Sequence, residues 1–160
     1  MKKIKLLTVA GSLIMASSLL APTLAGASDY LSGMNCEAAN LTQALQGLGK
    51  SQRGVQNNNP NASFFVVCPI DRNTFSSVAT NVFVGATFPG SGSVECTVRS
   101  QNWLSAAFTI SSFTVDSANF TGDPNTGYDF IQFSFPNGGT NSTVVCALGP
   151  GEGIQWIGIG

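Results

Sequence analysis

From about residue 62 to its end, the chain is a succession of short β-rich runs cut by Gly, Pro and Asn turns, and that rhythm leaves few folds open. The densest run is 62–70, where Phe64-Phe65-Val66-Val67-Cys68 precede Pro69. Apolar on both faces, it reads as a central sandwich strand. In residues 80–87, Val82, Val84 and Ala86 alternate with Asn81, Phe83 and Gly85. After Pro89-Gly90-Ser91-Gly92, residues 93–100 set Val94, Cys96 and Val98 against Glu95, Thr97 and Arg99. Period two with charge on one side marks a half-buried strand. Further runs cover 106–116, 128–135, 141–148 and 154–159, with turns at Pro136-Asn137-Gly138-Gly139 and Gly149-Pro150-Gly151. In two of them the apolar parity switches, from Phe108 and Ile110 to Phe113 and Val115, and from Tyr128 and Phe130 to Ile131, Phe133 and Phe135. The second switch suggests a bulge, the first either a bulge or two short strands. Strands without helical crossovers predict an all-β fold, an antiparallel two-sheet sandwich that is jelly-roll-like or Ig-like.

Upstream the signal weakens. Leu41, Ala44, Leu45 and Leu48 have helical spacing, but Gly47 and Gly49 interrupt it. Residues 28–61 are therefore expected to be an irregular arm, with or without one short helix, and 28–160 one domain. Residues 1–27 read as a signal peptide: Lys2, Lys3 and Lys5, then an apolar core, then Ala25-Gly26-Ala27. That core is shorter than a membrane span requires. The expected protein is secreted, periplasmic or extracellular, with no membrane insertion after cleavage.

Loss of that leader leaves four basic residues against eight acidic ones, a net charge of −4. So few scattered cations exclude nucleic acid as a partner, because phosphate neutralisation supplies most of that affinity.

Cys36, Cys68, Cys96 and Cys146 are the only cysteines, an even count that suits two disulfides in an oxidising compartment. Three pairings are open. Cys36–Cys68 with Cys96–Cys146 is favoured, because the first bridge would tie the N-terminal arm to the first long strand. Zinc is a poor fit, since no two cysteines are close in sequence and the chain has no histidine.

The missing histidine also removes the Ser-His-Asp and Cys-His nucleophile systems. Paired carboxylates are the remaining route to catalysis, and Asp and Glu at turns and on solvated strand faces are the commoner arrangement. No catalytic residue is assigned and no cofactor is expected. Asp123, Asn125 and Asp129 offer oxygens at alternate positions, as calcium loops do. The pattern departs from such a loop in its glycine position and lacks the closing Glu, so an Asx turn is the simpler reading. Trp103, Trp156 and Tyr128 are candidates for stacking a ligand, with core packing as the default for sheet aromatics.

A Cys soon after the leader, Gly54-Val55-Gln56-Asn57, Val66-Val67-Cys68-Pro69-Ile70-Asp71-Arg72-Asn73 and two later cysteine-bearing strands form a set. It resembles a group of secreted β-sandwich proteins of Gram-negative bacteria with a V-V-C-P-[LI]-x-R-[DN] signature. The resemblance spans Cys36 to Trp156, implies an exported sandwich and brings no assigned activity.

The expected function is that of a non-enzymatic exported protein, binding or structural at the cell surface or outside the cell, its role and partner left open, with a glycan or another copy of itself as the candidates. A carbohydrate-binding module is the first alternative. Next come a fibre subunit that adds residues 154–159 to a neighbour's sheet, and then a small hydrolase.

Overall fold

The computed structural model describes residues 29–70, 79–102, 108–117, 123, 125–135 and 140–160. The expected leader and Trp103 lie outside them. The described elements are β1 (Asp29–Ser32), a 3-10 turn (Gly33–Asn35), β2 (Glu37–Ala38), α1 (Leu41–Leu45), β3 (Leu48–Ser51) and β4 (Gly54–Asn57). The longer strands follow: β5 (Phe64–Ile70), β6 (Ala79–Thr87), β7 (Ser93–Asn102), β8 (Phe108–Asp116), β9 (Thr126–Ser134), β10 (Thr140–Leu148) and β11 (Gly153–Ile159).

Two antiparallel sheets are packed together. Sheet A has the order β3-β4-β11-β6-β9, with β1 also on β11, and sheet B the order β2-β5-β10-β7-β8. The pairings are nested: β7 with β8, β6 with β9, β5 with β10, β4 with β11. A long hairpin rolled up so that alternate layers fall into opposite sheets gives this order, which is the jelly roll. Contacts β6·β11 and β7·β10 then seal each sheet across the roll. Of the two sandwich types expected, the jelly roll is the one formed.

Each long strand turns one parity inward. Val94, Cys96 and Val98 of β7 meet Val144 and Cys146 of β10 and Val66 and Cys68 of β5. From sheet A, Val82, Val84, Ile154, Ile157 and Phe133 close the same core, all at most 2% exposed. Where the inner face becomes polar it is satisfied internally: Ser100 and Ser142 share a hydroxyl hydrogen bond of 2.9 Å. Asn57, fully buried, donates its amide to the carbonyls of Ala62 (2.7 Å) and Leu148 (3.0 Å) and accepts from the Asn59 N–H. It fastens the end of β4 to the β10–β11 turn, where Pro150 and Gly151 (φ +79°) occupy the central positions.

Both disulfides take the favoured pairing, Cys36–Cys68 and Cys96–Cys146, with Cα atoms 4.0 and 4.1 Å apart. Cys96 and Cys146 are directly opposed in the β7–β10 ladder. Cys36 continues the β2–β5 register opposite Cys68. Each staple therefore lies within sheet B, and neither crosses the core.

Four expectations change. Residues 29–57 are not an irregular arm: β1 and β4 flank β11, β2 lines β5, β3 lines β4, and only α1 is helical. These strands have two to four residues, too few to display a period of two, and are held extended by the ladders they join. Strand β5 is apolar on both faces but buried on only one, with Phe65 51% exposed on the other. The parity switches in β8 and β9 are not bulges: both strands keep unbroken register with their neighbours. The register shift lies instead in β11, between Ile154 and Trp156, where β4 pairing gives way to β1 pairing. Finally, β11 is interior, with β6 on one side and β4 and β1 on the other, so residues 154–159 are already paired and not free to add to a neighbour's sheet.

Candidate functional site

In β9, an edge strand of sheet A, the parity switch puts apolar residues on both faces. Ile131 and Phe133 turn inward, while Tyr128 (44% exposed) and Phe130 (51%) turn outward. Register carries the pattern across the sheet: Tyr128 lies opposite Gly85, which pairs with Trp156, and Phe130 lies opposite Phe83, which pairs with Gly158. Two adjacent outward rows therefore carry aromatic side chains.

The rings are in contact along each row. Tyr128 and Trp156 have centroids 6.5 Å apart at an interplanar angle of 35°, and Phe83 and Phe130 are 5.4 Å apart at 39°. Both pairs are tilted, within the usual range for aromatic contacts. Gly85 makes the first pair fit. A Cβ there would stand 2.3 Å from both Cε2 and Nε1 of Trp156, so the indole occupies the space left by the absent side chain. The ring thus reaches across β6 toward Tyr128 instead of standing off the sheet.

Polar rows bracket the aromatic ones. Thr126 and Thr87 pair on one side, Gln132 and Asn81 on the other. Beside the bulge, Gln155 joins Thr126, Gly127, Tyr128 and Trp156 in lining a cleft of about 100 Å³. The outward register positions of β9, β6 and β11 carry Thr, Tyr, Phe, Gln, Ser, Ala, Asn, Gly and Trp, and no charged residue. Asp129 takes the opposite parity, and its carboxylate accepts the Phe130 N–H at 2.7 Å.

Of the three stacking candidates, Trp156 and Tyr128 come together, and Trp103 lies outside the described residues. Phe83 and Phe130 were missed. Their signal was present in the switched parity of residues 128–135, which was read as a bulge.

Two of the calcium candidates, Asp123 and Asn125, are engaged with each other. Asp123 Oδ1 accepts both the backbone N–H and the side-chain amide of Asn125, each at 2.9 Å, an Asx turn that employs the carboxylate locally. Among the described residues no three His, Cys, Asp or Glu side chains are grouped to hold a metal. Among the described carboxylates, Glu95 stands on the outer face of sheet B, Asp123 caps its own turn, and Glu152 accepts the Gly149 N–H in the β10–β11 turn.

Two larger depressions lie elsewhere. One of about 580 Å³ runs between β2, α1 and β3, past Glu37, Leu41 and Lys50. Another of about 490 Å³ on sheet B is lined by Arg99, Gln101, Phe108, Ile110, Asn141 and Thr143. Neither brings two carboxylates together.

Comparison with protein-family models, with curated proteins and with solved structures finds no match to this chain.

Proposed function

We propose that this chain is an exported, non-enzymatic binding protein that takes carbohydrate on the outer face of sheet A. One observation carries the reading: a contacting Tyr128–Trp156 pair, seated by Gly85 and bordered by amide and hydroxyl side chains, at outward positions of β9, β6 and β11 that carry no charged residue. A sugar ring has an apolar C–H face and a rim of hydroxyls. Aromatic rings answer the first, and Thr126, Gln155, Asn81 and Gln132 answer the second.

Export is supported by the leader-like residues 1–27 and by two disulfides, which belong to an oxidising, non-cytoplasmic environment. No helix among the described residues is long and apolar enough to cross a membrane. Binding is favoured over catalysis because the chain has no histidine and the Asp123 and Glu152 carboxylates are engaged in their own turns.

The test is a glycan array of neutral and acidic oligosaccharides, probed with the oxidised protein and with Trp156→Ala. Expected is a set of bound glycans that Trp156→Ala loses by at least tenfold in affinity, about 1.4 kcal/mol, while its melt stays cooperative. An array with no bound glycan, or signals that the variant retains, overturns the proposal.

A further inference from the structure

We infer that the ligand of this face is a neutral glycan chain, spanning at least two sugar units, and not a single sugar or an acidic polymer. The inference rests on the carbohydrate reading above and adds charge and length to it.

Charge comes first. An acidic glycan is held by cations, and bidentate arginine is the group best suited to a carboxylate. None of the outward positions of β9, β6 and β11 carries a cation. Of the described cations, Arg99 lies on the outer side of sheet B, Lys50 in β3, the strand beyond β4, where it is paired with Val55, and Arg53 in the β3–β4 turn. A carboxylated polymer laid along the aromatic rows would surrender hydration and gain no ion pair, an uncompensated cost. A neutral chain gives up only hydroxyl hydrogen bonds, which the flanking amides and hydroxyls replace.

Length follows from the order of the rows. Along the strands the face reads Thr126–Thr87, Tyr128–Trp156, Phe130–Phe83, Gln132–Asn81. Consecutive rows on one face lie about 7 Å apart, so the two aromatic rows form a strip longer than a single sugar ring. Polar rows at both ends give the strip two places to engage hydroxyls. A single sugar would fill one row and leave the second pair of rings, with Phe130 51% exposed, uncovered.

The experiment is isothermal titration of the oxidised protein with cellohexaose, mannohexaose, glucose, mannose and hexagalacturonate, at low and at high NaCl. Expected is binding of a neutral hexasaccharide at least tenfold tighter than its monosaccharide, changed less than twofold by salt, with hexagalacturonate not bound. Phe130→Ser, at a half-exposed position, should remove most of that gain with length. Arg53→Gln should change neither. Hexagalacturonate binding as tightly as the neutral chains, or affinity that collapses with salt or in Arg53→Gln, overturns the neutral assignment while the carbohydrate reading stands. Equal affinity for hexasaccharide and monosaccharide overturns the length assignment in the same way. Failure of every sugar in the array above overturns both.

Discussion

Gly85 shows how one missing side chain shapes a surface. It sits on the outer side of an interior strand, where a Thr or Val would strengthen the ladder. Its place is explained by Trp156, whose indole fills the volume a Cβ would claim, with Cε2 and Nε1 only 2.3 Å from that point. Gly85→Ala must therefore displace the indole. Because Trp156 is only partly buried, the ring can swing outward, and the cost should be about 1–2 kcal/mol, at the low end for overpacking. The expected result is a melting temperature several degrees lower, with carbohydrate affinity reduced as far as in Trp156→Ala. Differential scanning calorimetry and titration on the same preparation check it. Unchanged binding in Gly85→Ala would mean that the indole does not need to lie across β6. Gly54 answers a different need: at φ +118° it takes a conformation that L side chains rarely adopt, and a Cβ would stand 2.0 Å from the Ile154 carbonyl oxygen at the bulge.

At the scale of elements, legibility followed burial. Strands β7 and β10 each have one core face and one solvated face, so alternation in 93–100 revealed strand and parity together, while the favoured cysteine pairing rested on tying the N-terminal segment to the first long strand. The edge strands were misread. In β8 and β9 apolar residues occupy both faces for different reasons, Phe113 and Phe133 packing inward while Phe108, Ile110, Tyr128 and Phe130 stay outside. Periodicity counts apolar residues without knowing which face the core needs, so a surface patch and a one-residue bulge give the same switch. The real bulge, in the ladder with β6, was invisible because Gln155 and Trp156 are ordinary in a strand, and the exchange of β4 for β1 on the other edge of β11 leaves no mark in the sequence. The position of β11 was likewise a matter of topology: a terminal strand can be an edge or an interior member, and only the roll decides. Deleting residues 155–160 removes the interior strand of sheet A that carries Ile157, 2% exposed, and strips β6 and β1 of partners. The expected product is an unfolded chain with no cooperative thermal transition by circular dichroism. A folded truncated monomer would show that sheet A tolerates loss of its central ladder.

For the whole molecule, the decisive fact is that both disulfides lie within sheet B. Sheet A, which bears the aromatic face, shares the core with sheet B, and neither disulfide reaches it. In the chain-entropy account each bridge constrains the unfolded state according to loop length, and separations of 32 and 50 residues give nearly the same value, about 4 kcal/mol. Global stability should therefore hardly distinguish the two deletions. Native structure should. Cys96–Cys146 joins interior strands paired over eight register positions, and these ladders persist without the bridge. Cys36–Cys68 holds β2, which has only two paired residues, Glu37 and Ala38, and stands at the sheet edge. Without it, the segment from β1 to α1 loses its one covalent tie to sheet B, and local opening becomes easier than global unfolding. Paired Cys→Ala variants at each bridge should lose similar amounts of stability in urea titrations. Only the Cys36→Ala/Cys68→Ala protein should lose hydrogen-exchange protection at the Ala39 amide, which bonds the Phe65 carbonyl at 2.8 Å. Equal protection of that amide in both variants would mean that the edge is held by its ladder and by the Gln43 side chain, which accepts the Phe65 N–H, and not by the staple.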